Sequence, residues 1–314
     1  MIHTLRDTTT TDRVLRLVLT HQRRARTETH PGDPCARCLA AHVPRVGAFV
    51  ELNRPVEFVL PAFPVKSPNP AKVLGRLPDM AEELAVRFLD ELCTRIAEVY
   101  PPGAKVIICA DGRVFGDLIG VPDPDVTAYQ QRMRELLDAA PSGRLSLFTL
   151  DNAKRMPTHG MLRDWLDEDF GESAEDLRRE VCDDPATTSL YRGLCRFLFE
   201  DRATPDYAGT RAALQRESRR RAYGVLSRSR AWGRVVQQRF PAAIRLSIHP
   251  QPCGDPKLGL LLGTGHDAWL TPWHAVAVET SDGYRLMKRA EAEALGARLV
   301  RRDGRPSHFT LEGA

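Results

Sequence analysis

The 314-residue sequence predicts an α/β fold built on a mostly parallel sheet flanked by helices, with a helical segment interposed. Three observations carry that prediction. Runs such as 104-AKVIICA-110 and 144-RLSLFTL-150 are mostly apolar, as strands covered on both faces are. Amphipathic helical stretches separate them, giving the order strand, helix, strand, helix, strand. Several of the strands then turn abruptly polar at their carboxyl ends, where open parallel sheets bind ligands.

Taken in order, an N-terminal helical region (about residues 1–54) holds helices near 12–28 and 35–53. The segment 55-PVEFVLPAF-63 is a strand leading into the irregular loop 64-PVKSPNPAKVLG-75. From 78 to 100, Met80, Leu84, Phe88, Leu92 and Ile96 recur every four positions, with Ala85 and Leu89 beside them, which is one stripe of an amphipathic helix. Pro101-Pro102-Gly103 stops it. The strand at 104–110 is followed by a loop carrying Asp111 and Arg113, a helix at 125–140 and the strand 144–150. Residues 159–240 are mostly helical, clearest at 172–184, 187–202 and 209–239. Strands resume at 243–249, 257–263 and 273–280, then a short helix near 289–296 and a terminal strand pair turning at Asp303-Gly304. No flexible linker marks a boundary, so residues 1–314 are expected to form one domain.

Composition excludes several classes of function. Basic and acidic residues number 45 and 41, a net charge of +4. That is too mild to demand nucleic acid. The densest basic run, 216-RESRRRAYGVLSRSR-230, reads either as a solvated helix face or as a surface facing phosphate or a partner. No apolar run reaches the roughly 18–20 residues of a membrane span, and the first 17 residues lack a secretory pattern. Seven scattered cysteines do not form a disulfide framework. A reducing, cytoplasmic setting is therefore expected, with neither membrane nor nucleic acid as partner. His30, Cys35, Cys38 and His42 have zinc-compatible types. However, Cys38 to His42 reads as the start of a helix and no second ligand pair is evident, so no metal is expected.

The polar strand ends supply the candidate site. The first gives Lys66, Ser67, Asn69 and Lys72; the second Asp111, Arg113 and Asp117; the third Asp151, Asn152, Lys154 and Arg155. In 243–249, Arg245, Ser247 and His249 share one face by strand alternation. With Lys257, these residues suggest a shared cleft rich in cations suited to phosphate or carboxylate. Asp111, His249 and His274 are candidate proton carriers. Trp273 and His274 open an apolar strand, either as core residues or facing substrate. No G-x-G-x-x-G follows the first strand, and neither G-x-x-x-x-G-K-[ST] nor G-x-S-x-G occurs.

In the order F-P-x-K-S-P-N, D-G-R-V-F-x-D, R-L-S-I-H-P and T-P-W-H, the sequence resembles the pyoverdine/dityrosine biosynthesis proteins, which include the isonitrile (isocyanide) synthases. The matching stretches are 58–85, 101–123, 244–252 and 271–276, with weaker likeness at 35–42 and 301–309. The resemblance implies a Rossmann-like fold and an enzyme joining the α-amine of a tyrosine- or tryptophan-like amino acid to ribulose 5-phosphate. The sugar's C2 becomes the isonitrile carbon. It implies no metal or nucleotide cofactor, and commonly an iron/2-oxoglutarate oxygenase acting downstream. On this expectation Lys66, Lys72 and Arg245 bind anions, with Arg113 a further candidate. Asp111, His249 and His274 move protons, and Trp273 with Phe115 line the side-chain pocket, Phe115 being equally readable as core. Asp117 either joins them or braces the Arg113 loop. The alternatives are an N-formyl amino-acid synthase and a non-catalytic phosphosugar-binding protein.

Overall fold

The computed structural model describes residues 9–25, 35–263 and 270–311. Two helices come first, α1 (Thr10–Leu19), capped by the Thr9 hydroxyl, and α2 (Ala36–Glu51). The helix expected over 12–28 thus ends at Leu19; residues 21–25 run extended against the loop around Gln251 and Leu260.

Five strands form the expected parallel sheet: β1 (Val56–Leu60), β2 (Ala104–Ala110), β3 (Leu145–Thr149), β4 (Ile244–Ser247) and β5 (Leu258–Gly259), in the spatial order β3-β2-β1-β4-β5. The order reverses between β1 and β4, and the crevice at such a switch point is where open α/β sheets hold ligands. Between β1 and β2 runs α3 (Met80–Val99). Its start is fixed by a capping box: Asp79 accepts from the Ala81 amide at 2.9 Å, and Glu82 accepts from the Asp79 amide at 3.0 Å. The predicted stripe is the buried one, with Leu89, Leu92 and Ile96 in the main core. Each such side chain contributes about 1.5–3 kcal/mol by leaving water.

After β2 the chain does not loop but enters α4 (Gly112–Ile119), then α5 (Asp123–Asp138). Only eight residues long, α4 contains two glycines and is kinked at Phe115 (φ −136°). No 3.6-residue period survives in so short and broken a helix. The interposed helical segment comprises α6 (Leu150–Ala153), α7 (His159–Phe170), α8 (Ala174–Asp183), α9 (Pro185–Arg202) and the 29-residue α10 (Arg211–Arg239). Within it, α10 lies against the sheet: Trp232 donates from Nε1 to the Cys109 carbonyl at 3.2 Å and stacks on Phe148. Within the basic run, Arg216, Arg219 and Arg220 are exposed, whereas two later arginines tie the helices together. Arg228 pairs with Asp117 and Asp167, and Arg230 with Glu172 and Glu180. These guanidiniums therefore form a seam of ion pairs rather than an open basic face.

The C-terminal strands form a second sheet: β6 (Val276–Thr280), β7 (Gly283–Met287), β8 (Arg298–Arg302) and β9 (Arg305–Thr310), ordered β7-β6-β9-β8, with α11 (Arg289–Ala294) between β7 and β8. The strand expected at 273–280 starts three residues later because Pro272–His274 form a 3₁₀ turn. The expected elements did not include β7, although its five residues alternate, with Gly283 and Arg285 exposed and Tyr284 and Leu286 turned toward Met80 and Ala277; the run is too short to stand out. The start of α3 covers this sheet, with Met80 and Ala81 packed on Ala277. No helix among the described residues is long and apolar enough to cross a membrane.

Candidate active site

The site begins where β1 leaves the sheet. Phe63 is fully buried and holds a left-handed φ of +57°, an unfavourable backbone for a bulky residue. Its ring packs on Trp273 at 5.2 Å. One residue on, the Pro64 carbonyl meets the start of α4 so closely that a Cβ on Gly112 would lie 1.9 Å from its oxygen. Only glycine permits this approach. It fixes the β1 loop against Asp111.

Asp111 occupies the N-cap position of α4 without capping it, and its Oδ1 is buried with no hydrogen-bond partner. Burial raises its pKa to about 7, against the pull of its own backbone N–H and of Arg245. Arg245 reaches from β4 to donate to the Gly233 carbonyl of α10 at 3.2 Å. The pairing of Leu246 with Leu258 sets Lys257 beside Arg245. Burial lowers the pKa of Lys257, and the charge of Arg245 lowers it further. His249 lies just past the end of β4, its amide donating to Ser247 Oγ at 3.1 Å. His249 and Lys257 both keep solvent-exposed surface, yet burial leads the causes lowering their pKa values. Arg23 and Lys257 lower His249 further, which keeps its imidazole neutral at pH 7. Asp111, Arg245, Ser247, His249 and Lys257 thus gather at one end of the sheet, joined by Arg23. Arg23 donates to the Ile248 carbonyl at 2.5 Å.

A second group centres on Asp201, at the end of α9. Its Oδ1 accepts from Ser67 Oγ at 2.8 Å and from Lys72 Nζ at 2.6 Å. Its other oxygen lies 3.6 Å from His274 Nε2, and Thr271 holds the His274 Nδ1 at 3.1 Å. Asn69 donates to the Glu200 carbonyl at 2.7 Å. Burial alone would raise the Asp201 pKa, but His274 and Lys72 together bring it below the usual carboxylate value. Phe197 packs edge-on to the His274 ring, and Trp273 is buried behind it. This carboxylate–imidazole pair, backed by an ammonium, is suited to orienting a proton carrier.

Other expected site residues are committed to the framework. The ammonium of Lys66 is fully buried, 2.7 Å from Glu82 and 3.0 Å from Asp79, and donates to the Pro272 carbonyl at 3.1 Å. One ammonium thus faces two carboxylates, and burial pushes the Asp79 pKa upward. Tyr129 completes the network by donating to Glu82 at 3.1 Å. An ammonium so enclosed does not present itself to a substrate anion. Arg113 is likewise buried, donating to the Asp123 carboxylate at 2.9 Å, the Asp123 carbonyl at 3.0 Å and Thr127 Oγ1 at 2.7 Å. It fastens α4 to the first turn of α5. Phe115 is packed in the main core. Asp117 receives Arg228 at 2.8 and 3.0 Å, bracing α4 against α10. At the third strand end, Asn152 caps α6, Asp151 lies 3.5 Å from Arg113, and Lys154 sits over the Trp165 ring. Arg155 is exposed.

Sequence reasoning missed Asp201, Arg23, Asp79 and Glu82. The D-x-x-E box at 79–82 was a readable signal. Asp201 is one acid among many on a helix, and Arg23 belongs to a segment read as helical.

Known proteins resemble this chain in both sequence and fold. The sequence profile of the pyoverdine/dityrosine biosynthesis protein family matches residues 46–300. The chain is 45% identical to the L-tyrosine isonitrile synthase of Pseudomonas aeruginosa, covering 95% of this chain and 93% of that protein. It is 40% identical to an L-tryptophan isonitrile synthase of Fischerella ambigua, over 95% of this chain and 91% of the other. The crystal structure of the PvcA protein from Pseudomonas aeruginosa superposes with a TM-score of 0.92 at 45% identity, covering 96% of this chain and all of that one. With its parallel sheet, inserted helices and motif-bearing strand ends matched along nearly its whole length, the chain belongs to the pyoverdine/dityrosine biosynthesis family, the family of the isonitrile synthases.

Proposed function

We propose that this protein is an isonitrile synthase that uses the α-amine of a tyrosine- or tryptophan-like amino acid and carbon from C2 of ribulose 5-phosphate. The observation that carries the reading is the meeting of Asp111, Arg245, Lys257 and His249 at the sheet's carboxyl end. Two substrates that each bear an anion need fixed cations, and the guanidinium of Arg245 and the ammonium of Lys257 supply them. Arg245 suits a carboxylate or phosphate bidentately, whereas Lys257 acts as a point charge.

The amine attacks the C2 carbonyl, and water leaves as the imine forms. That step needs a proton delivered to oxygen and one removed from nitrogen. Asp111, at about 7, is half-protonated at neutral pH and suits the donor. His249, held neutral, suits the acceptor. His274, oriented by Asp201 and Thr271, serves the later carbon–carbon cleavages, which leave C2 on nitrogen. Trp273 backs the amino-acid pocket. In this reading Lys66, Lys72, Ser67 and Asn69 hold the loop and Asp201 in place rather than gripping the substrate.

The test is to incubate the purified protein with ribulose 5-phosphate labelled at C2 and a panel of amino acids, followed by mass spectrometry. The expected product is an amino-acid isonitrile carrying the label. A labelled formamide would move the protein to the N-formyl branch. Binding of the sugar without product would identify a phosphosugar-binding protein, and no label in any amino acid overturns the synthase reading.

A further inference from the structure

Cys35, Cys38 and Cys253 converge although 215 residues separate the last two. Their sulfurs all lie within 4.8 Å of one another and are buried. Cys35 Sγ is 3.4 Å, and Cys38 Sγ 3.9 Å, from Cys253 Sγ. Sequence alone offered a C-x-x-C pair with no distant partner; the β4–β5 loop delivers that partner.

We propose that these three cysteines form a trithiolate site for a thiophilic d¹⁰ cation, Zn²⁺ or Cu⁺. Thiolates at about 2.3 Å from a tetrahedral zinc lie about 3.8 Å apart, and the two measured separations bracket that value. A disulfide needs about 2.05 Å between sulfurs and would leave the third thiol unused. The local backbone is built for the convergence. Cys35 is the N-cap of the 16-residue α2 and Cys38 lies in its first turn, where the helix dipole favours the negative charge of thiolates. Gln22 donates its side-chain amide to Cys38 Sγ at 3.2 Å, a support for a metal-bound sulfur from outside the ligand set. After Cys253, Gly254 turns at φ +79° beside the Arg37 carbonyl. This lets the loop wrap the end of α2. His42, one turn beyond Cys38 on the same helix face, is buried and its Nδ1 makes no hydrogen bond. It lies outside the sulfur cluster and is the nearest imidazole by sequence for a fourth zinc position; Cu⁺ is satisfied by three sulfurs. His30, the other imidazole of the sequence pattern, lies outside the described residues. A metal here would clamp the loop that carries His249, four residues before Cys253, onto α2.

The full chain, reduced and stripped with a chelator, is titrated anaerobically with Co²⁺ as the zinc surrogate, with Zn²⁺ and with Cu⁺. One equivalent is expected to bind, with thiolate charge-transfer absorbance and a raised melting temperature. Cys35→Ser and Cys253→Ser should each weaken binding at least about tenfold, while Cys182→Ser, at an exposed thiol, should not. Where a serine variant fails to fold, alkylation of the wild-type protein decides: in urea just below the unfolding transition, where the metal-free protein's buried thiols become reactive, bound metal should shield Cys35, Cys38 and Cys253 and leave Cys182 reactive. Tight binding of Zn²⁺ alone or of Cu⁺ alone selects the ion and supports the site. No charge transfer with any of the three ions, no shielding, or a Cys35–Cys253 disulfide in the protein as purified overturns it.

Discussion

Asp111→Asn removes a carboxylate that burial holds half-ionised at neutral pH, and it separates what this residue does for folding from what it does for chemistry. The folded pKa is about 7, against 3.8 for an unperturbed carboxyl. Between those values the folded state binds more protons than the unfolded one, so stability falls as pH rises through this window. Above pH 7 the full cost of the buried charge is present; below pH 4 both states are neutral and none remains. At about 1.4 kcal/mol per pH unit, the displacement sets a ceiling of about 4 kcal/mol. Although Oδ1 is buried, the residue keeps some accessible surface, and solvent screening reduces this to about 2 kcal/mol. Asparagine has the same shape and no charge. The variant should therefore be more stable than the wild type by about 2 kcal/mol at pH 8 and indistinguishable from it near pH 4, while losing isonitrile formation. Urea denaturation across this pH range, paired with the labelled-sugar assay, reads both quantities. A variant that is equally or less stable at pH 8, or whose advantage does not change with pH, would refute the claim that a buried, unpartnered charge sits at this position.

Other consequences follow from the same geometry. Lys66→Met leaves Asp79 and Glu82 facing each other without a cation and should cost about 3–5 kcal/mol in denaturant unfolding, a deficit that shrinks as pH falls and the carboxylates take up protons. Gly112→Ala drives a methyl into the Pro64 carbonyl and should destabilise by at least about 1–3 kcal/mol, seen as a lowered melting temperature. Asp201→Asn should lower kcat/KM at least about tenfold, or about 1.4 kcal/mol, and adding His274→Ala should cost little more. Full additivity of the two in a double-mutant cycle would show that they do not act as a pair.

Much of this protein was legible before its structure. Apolar strands, amphipathic helices and the proline and glycine stops depend on local patterns, and they gave the parallel sheet and the interposed helices nearly in place. The strand ends were legible too, because a polar residue after an apolar run marks the sheet's edge. Neither α4 nor β7 was, since a glycine-rich kinked helix breaks its own period and the five-residue alternation of β7 is too short to stand out. What each polar residue does with its charge was beyond the sequence. Lys66 and Arg245 look alike in sequence, yet one is closed in by Asp79 and Glu82 and the other reaches the Gly233 carbonyl within the field of Asp111. Asp201 and Cys253 gained their partners only when distant segments met. Periodicity reports which face of an element is buried, whereas ion pairing, pKa and the gathering of thiols depend on distances across the fold, which tertiary packing alone decides.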